Sequence, residues 1–200
     1  MTSVLHNFKE TLLNPFSPKS EEERLDYFEV MGISWAFHFI YAFYSIFAVY
    51  IGIKTYQYMS ETDNIAKVLY SNFNLSLQKF SIIMGISEAI FYPVVFHFSY
   101  KFWLFILNFY GQVFNVETNV EEESVDILNA IYASNVFLIL PIGGKLLSLL
   151  AQGFYLFKGL MAKLGFSNLQ AFLVLLTPLF IMFLFTILIV SYFIFLISLI

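Results

Sequence analysis

Three polar side chains in an aromatic-rich, apolar stretch have a spacing that could do chemistry inside a membrane. His97, Lys101 and Asn108 are offset by four and seven residues, which places them on one face of a helix. Ionisable residues at membrane depth are functional hypotheses by default, because burying their charge in lipid is costly. The stripe favours bonds to neighbouring helices, or a Lys101 that reaches the interface along its alkyl stem. The alternative is an anionic headgroup site or a polar path.

A carboxylate precedes the stripe, and a second polar group follows it. Glu88 is either a buried carboxylate that binds a proton or a cation, or an interfacial residue, depending on where its helix begins. Tyr132, Ser134 and Asn135 enter the next apolar segment together. Hydrogen bonds between helices are their structural use, worth about 0.6–2 kcal/mol each in a membrane. These four residues complete the candidate intramembrane polar site.

Other polar residues in apolar segments indicate packing rather than chemistry. His38 is isolated in its segment, and we expect it to be a packed residue and not a ligand. Ser148 and Gln152 belong to a small, weakly polar surface that is suited to close contact with another helix. The run of glutamates at 121–123 lacks the alternating ligand spacing of a calcium loop, so it predicts a solvated acidic loop.

Patterns typical of enzymes and cofactor sites are absent from the sequence. The chain has no cysteine, no H-E-x-x-H zinc pattern, no phosphate-binding glycine loop and no G-x-S-x-G elbow. We therefore expect no catalytic, cofactor-binding or metal site, and no enzyme. The net charge of −4 gives no nucleic-acid footprint.

The elements that position the polar residues follow from a charge-free run of 37 residues, Leu164 to Ile200. A bilayer core requires roughly 20 apolar residues in a helix. Apolar residues make up 60% of the chain and charged residues 12%, the latter about half the share of a soluble domain. We predict an all-α, polytopic membrane protein: a bundle of five transmembrane helices that occupies residues 21–200. The predicted spans are about 30–53, 80–114, 125–140, 145–163 and 168–199.

The breaks between spans are marked by glycine, proline and capping residues. Pro93 should kink the second span, because its ring displaces a backbone hydrogen bond. Pro141, Gly143 and Gly144 form the hinge between the third and fourth spans. Gly165 predicts a left-handed cap before a tight hairpin into the fifth span.

Three further local patterns set helix starts and packing. S-x-x-E at Ser20–Glu23 and S-x-x-Q at Ser167–Gln170 predict capping boxes, with helices that begin near Glu21 and Ser167. Gly159 lets helix backbones approach closely, whereas Gly111 lies at a predicted loop edge and should tolerate a side chain.

The N-terminal 20 residues predict a short amphipathic helix and a linker. Val4, Leu5, Phe8 and Leu12 share one helical face, and Asn14-Pro15 ends the helix. The helix either lies in plane on the headgroups or is an ordinary surface helix. Five spans place the termini on opposite sides, but five basic residues against four give no usable orientation bias.

The second half of the chain resembles the Yip family, and its bacterial branch most. The matching residues are Tyr132-Ala133-Ser134, Pro141, Gly143-Gly144, Gly159-Leu160, Leu164-Gly165-Phe166-Ser167, Ala171 and Pro178, with Asn14-Pro15 near the N-terminus. Yip proteins have five spans and are named in eukaryotes for interacting with Rab-type GTPases. The resemblance covers about residues 125–180, and it implies a cytoplasmic N-terminus. Asn135 and Val136 stand where many relatives have proline. The short N-terminal region gives no basis for Rab binding.

Composition and resemblance together favour a non-enzymatic scaffold or adaptor of the Yip type in the bacterial cytoplasmic (inner) membrane. It would act through intramembrane helix packing with a membrane-protein partner or with copies of itself, in contact with membrane lipids. The alternative is a small transporter, channel or lipid-handling protein that uses the polar stripe of the second span. A weaker third hypothesis is an accessory subunit of a larger complex. A polar cavity that reaches past mid-membrane would favour the alternative, and a dry, tightly packed interior the scaffold.

Overall fold

The fold is a helical bundle, as predicted. The computed structural model describes residues 2–62 and 75–198, and within these ranges no residue lies in a β-strand. The α-helices of the described ranges are α1 (Thr2–Leu13), α2 (Tyr27–Thr62), α3 (Leu75–Val113), α4 (Val120–Ala133), α5 (Gly144–Lys163) and α6 (Asn168–Ser198). Short 3₁₀ turns lie at Glu21–Glu23 and, directly after α4, at Ser134–Ile139.

Three of these helices are long and apolar enough to cross a membrane. The qualifying stretches are Tyr27–Thr55 in α2, Ile82–Val113 in α3 and Asn168–Phe195 in α6. The first ends beside Lys54, where the sequence predicts a boundary, although α2 itself continues to Thr62. These helices support a membrane protein. The predicted count of five is not reached on length and composition, because α4 has only 14 residues and α5 carries three lysines.

The centre of the bundle is α4, which α2, α3 and α5 surround. Ile127, Leu128 and Ala130 are almost completely buried there. A layer of aromatic rings joins α4 to α3: the Tyr132 ring centroid lies 4.5 Å from that of Phe96 and 5.9 Å from that of Tyr100. The neighbouring helices bury nine residues of α4, including Asp126 and Asn129, so its polar side chains face the interior of the bundle.

The helix hairpin between α5 and α6 confirms the local sequence signals. Gly165 has a φ of +67°, so it occupies the left-handed conformation that glycine adopts without strain. The Ser167 N–H donates to Gln170 Oε1 over 2.8 Å, and the Gln170 N–H donates back to Ser167 Oγ over 3.4 Å. This reciprocal pair is the predicted capping box.

The glycines differ in how closely they pack. A Cβ at Gly159 would lie 3.0 Å from an Ile127 side-chain carbon, so the predicted close approach of α4 and α5 is confirmed. The expectation for Gly111 is wrong, because Gly111 belongs to α3 and a Cβ there would overlap Val120. Gly143 has a φ of +77°, and a Cβ at Gly144 would overlap the Phe137 carbonyl oxygen, so both positions of the predicted hinge require glycine.

Pro141 lies in a turn, whereas Pro93 and Pro178 lie inside helices. Pro141 lies in the turn between the 3₁₀ turn and α5, as the hinge prediction requires. Pro93 lies within α3, and that helix continues on both sides of it. Pro178 lies within α6, near the point where that helix loses contact with the rest of the bundle.

Two predicted boundaries are wrong. The Ser20 N–H does donate to Glu23 Oε2 over 3.0 Å, but it caps only a 3₁₀ turn. The long helix α2 begins after a second pair of residues, in which the Asp26 N–H donates to Glu29 Oε2 over 3.0 Å. The run 121–123 is not a solvated loop but the first turn of α4, where negative charge complements the helix dipole.

The N-terminal helix α1 is present, and it packs against the bundle. Val4 and Phe8 contact the core, with the Phe8 and Phe37 ring centroids 5.8 Å apart. The Tyr155 hydroxyl donates to the Leu12 carbonyl oxygen over 3.3 Å. Leu5, by contrast, is exposed. The apolar face therefore lies partly on protein, and the predicted position in the headgroup plane stays a prediction.

Candidate functional site

His97 lines a cavity beside Tyr27 and Pro93, but Lys101 and Asn108 of the predicted stripe in α3 do not line it. His97 is exposed, and its Nδ1 shares a hydrogen bond of 2.8 Å with the Tyr27 hydroxyl. Lys101 is also exposed. The side-chain oxygen of Asn108 is buried and has no partner among the described residues. The three residues share a helical face, as their spacing requires, but that face does not lead into a common site.

Asn135 is the centre of a buried hydrogen-bond network. Its Nδ2 donates to Ser34 Oγ and, over 3.1 Å, to Tyr92 Oη. Its Oδ1 accepts from Ser148 Oγ at 2.9 Å and from Gln152 Nε2 at 2.8 Å. An amide offers two donors and two acceptor positions, so its hydrogen-bonding capacity is filled. This residue joins α2, α3 and α5 to the 3₁₀ turn.

The two neighbours of Asn135 in the predicted site have structural roles. The Tyr132 hydroxyl donates to Ser99 Oγ over 2.8 Å and so ties α4 to α3. The Ser134 hydroxyl donates to the Ile131 carbonyl oxygen over 2.6 Å, within its own helix end. Both side chains are buried. The predicted hydrogen bonding between helices is therefore confirmed for Tyr132 and Asn135, and Ser134 bonds locally instead.

A cleft between α2, α3 and α5 contains the charged pair nearest to this network. Lys145 Nζ lies 3.0 and 3.2 Å from the two carboxylate oxygens of Glu88. Their side chains are 61% and 47% exposed, respectively. Two adjoining cavities of about 280 and 450 Å³ share the pair, and both also include His38 and Tyr41 in their walls.

The inner wall of the cleft contains polar side chains among apolar ones. The larger cavity extends from the ion pair to Asn135, Ser148 and Gln152. His38 stacks on Tyr92 with ring centroids 3.8 Å apart, and its Nδ1 lies 3.0 Å from the Ser34 carbonyl oxygen. A carbonyl oxygen only accepts, so Nδ1 carries the proton and Nε2 is left as an acceptor. His38 is a packed residue, as predicted, but it also lines the cleft.

A second charged cluster fixes the opposite end of α4 and α5. Asp126 is 1% exposed, and it accepts a hydrogen bond of 2.9 Å from Lys163, whose side chain is 7% exposed. Arg24 Nε lies 3.1 Å from the other oxygen of Asp126, and Arg24 also pairs with Glu122. Lys163 lies 3.0 Å from Glu123. Three segments distant in sequence meet at this buried carboxylate.

The linker after α1 joins the cluster through a lysine. Lys19 Nζ donates to Thr11 Oγ1 over 2.9 Å, and Thr11 is fully buried. Burial lowers the pKa of Lys19 below its usual range, and the nearby Asp126 partly opposes that change. Sequence reasoning missed this cluster, because its members carry no shared local pattern. In the described ranges, no group of three or more His, Asp or Glu side chains is arranged to hold a metal ion.

No protein-family model, curated protein or solved structure matches this chain. The resemblance to the Yip family therefore depends on the quoted residues alone, and it stays a prediction.

Proposed function

We propose that this chain is a multi-pass membrane protein that holds a small polar or amphiphilic ligand in the cleft between α2, α3 and α5. One observation carries the proposal: adjoining cavities extend from the exposed Glu88–Lys145 pair to the buried amide of Asn135. A scaffold that acts only through helix packing in the membrane does not require such a cleft. The proposal thus favours the small transport or lipid-handling protein, and it involves no catalysis.

The depth of the cleft supports a functional role. Tyr41 is the central residue of the apolar stretch Tyr27–Thr55 in α2. Glu88 lies six residues inside the stretch Ile82–Val113 of α3, which is about 9 Å along the helix axis. Charged residues at such positions are rare in membranes, and they face cavities or one another.

A bundle of five spans is part of the proposal. α4 and the 3₁₀ turn after it cover residues 120–139, about 33 Å in total and enough to cross a bilayer core. Asp126, Asn129 and Asn135 are shielded by the surrounding helices, so hydropathy alone does not reveal this span. α5 has 20 residues with Lys145 near one end and Lys163 at the other. The resemblance further implies a bacterial inner membrane and a cytoplasmic N-terminus.

Cysteine accessibility tests the span count directly, because the chain has no cysteine of its own. Three spans and five spans both place the termini on opposite sides, so terminal reporters do not separate them. Thr118→Cys before α4 and Ile142→Cys after it do, and Ile142 is 91% exposed. Five spans predict that a membrane-impermeant thiol reagent labels the two sites from opposite sides of intact vesicles. Labelling of both from one side would contradict the five-span bundle.

A second pair of cysteine variants tests the cleft. Ser45 lines the smaller cavity, whereas Phe43, two residues away on α2, is 69% exposed on the outer surface. In lipid nanodiscs, Ser45→Cys should react with a small water-soluble maleimide at least about tenfold faster than Phe43→Cys, because lipid excludes a charged reagent. Equally slow labelling at both sites would mean that the cleft holds no water and no polar ligand.

The predicted scaffold or adaptor of the Yip type is the second candidate, and α6 favours it. The C-terminal half of this helix exposes its side chains from Met182 to Ile194, and none of them is charged. A membrane-protein partner, a second copy or lipid would cover it. A stoichiometric protein that co-purifies in mild detergent, together with an unreactive Ser45→Cys, would support the scaffold over the cleft.

A further inference from the structure

We infer that the ligand of the cleft carries a zwitterionic headgroup, with an ammonium and a phosphate, on an apolar body. The inference rests on the proposed function and names its ligand class. Its basis is the Glu88–Lys145 pair, which places one negative and one positive charge on two different walls of the same cleft. A zwitterionic lipid is the ligand that matches this arrangement.

The charge balance of the cleft selects against ligands with a single charge. An anion that binds Lys145 would separate it from Glu88 and leave the carboxylate without a counter-charge. That loss is costly, because Glu88 lies six residues inside the apolar stretch Ile82–Val113, where an uncompensated charge is unfavourable. A zwitterion replaces one ion pair by two, with its ammonium on Glu88 and its phosphate on Lys145.

The surroundings of the pair fit both halves of such a headgroup. The Tyr41 ring centroid lies 5.8 Å from Lys145 Nζ, so an aromatic face suited to an ammonium borders the site. Lys145 is the second residue of α5, in the first turn, where the helix dipole favours negative charge. A phosphate at Lys145 would thus gain from the lysine and from the dipole together.

The inner and outer walls set the position of the ligand. Asn135 has used all four of its hydrogen-bonding positions, so it cannot take a headgroup without losing a bond within the protein. The headgroup therefore stays at the ion pair. Apolar side chains line the cavities beside it and are themselves exposed, namely Phe80, Met84, Leu146 and Leu149. They offer a surface for acyl chains.

Lipid retention measures this selectivity. The full chain is reconstituted in vesicles of equimolar dioleoyl phosphatidylethanolamine and dioleoyl phosphatidylglycerol, extracted in mild detergent, and its retained lipid is quantified by mass spectrometry. We expect phosphatidylethanolamine to be enriched about tenfold, which corresponds to about 1.4 kcal/mol. Competition by soluble phosphoethanolamine distinguishes the source: displacement of the lipid assigns the cleft to a free zwitterion, and no displacement assigns it to the lipid.

Charge variants test the residues themselves. Glu88→Gln should shift retention towards anionic phosphatidylglycerol, because Lys145 is then unpaired, and Lys145→Gln should abolish the enrichment. Lys158→Gln, on the exposed surface of the same helix, is the matched control and should behave as the wild type. The double variant Glu88→Lys/Lys145→Glu keeps both charges, and it should restore the preference for phosphatidylethanolamine.

The outcomes separate this inference from the proposed function. Wild-type protein that prefers phosphatidylglycerol, or a preference unchanged by every variant, would overturn the zwitterion and leave the cleft in place if Ser45→Cys is reactive. An unreactive Ser45→Cys would overturn the cleft and the zwitterion together.

Discussion

Replacing Asp126 by alanine should lower the free energy of unfolding by about 3–5 kcal/mol, the cost of breaking a buried ion pair from one side. The carboxylate is 1% exposed and has two cations, Arg24 and Lys163, within 3.1 Å. Without it, Lys163 would stay 93% shielded from solvent with only Glu123 as its partner. Thermal unfolding in detergent, followed by the loss of monodisperse protein, measures the change.

Two further variants test whether the loss of stability comes from the buried ion pair of Asp126. Glu121 is exposed in the same first turn of α4, and Glu121→Ala should change the unfolding temperature little. The double variant Asp126→Leu/Lys163→Met should be less destabilised than Asp126→Ala, because it removes the two charges together. If Asp126→Ala were as mild as Glu121→Ala, the cluster would have no role in holding the bundle.

Replacing Asn135 by leucine should cost about 2.4 kcal/mol, the sum of four hydrogen bonds at the average of about 0.6 kcal/mol each in membrane helices. The substitution also removes the acceptor that Ser148 and Gln152 share, whereas Ser34 and Tyr92 keep the hydrogen bond between their own hydroxyls. We expect a lower unfolding temperature and weaker cohesion of α2 and α5, visible as faster proteolysis of the protein in detergent.

Asn108 supplies a matched control for Asn135. Both residues are asparagines in the interior of the bundle, but the Asn108 side-chain oxygen is buried without a partner in the described structure. Asn108→Leu should therefore be close to neutral, since no hydrogen bond of that oxygen is lost. Similar losses for Asn108→Leu and Asn135→Leu would show that side-chain volume, and not the network, determines the stability at these sites.

Features that depend on neighbouring residues could be predicted from the sequence. Gly165 and the Ser167–Gln170 box are defined within six residues, and both have the expected geometry. The apolar helices α2, α3 and α6 follow from the length of their charge-free or charge-poor stretches. Even local signals compete with one another, however: the Ser20 N–H does bond Glu23, but α2 begins at the second pair, Asp26 and Glu29.

Features that depend on tertiary pairing could not be predicted. Arg24 and Glu122 are 98 residues apart, and Lys145 lies 57 residues from Glu88. The spacing of His97 and Lys101 correctly indicates a shared face, but it carries no information about what that face contacts. The sequence indicates Glu88 and Asn135 as separate polar residues, and only the folded chain brings them to one cleft.

The position of α4 at the centre of the bundle has a consequence for biosynthesis. A ribosome completes α2 and α3 before α4, whereas α5, with Lys163, follows Asp126 by 37 residues. Arg24 is therefore made before Asp126, and Lys163 after it. One of the two cations that compensate the buried carboxylate precedes α4 in the chain, and the other follows it.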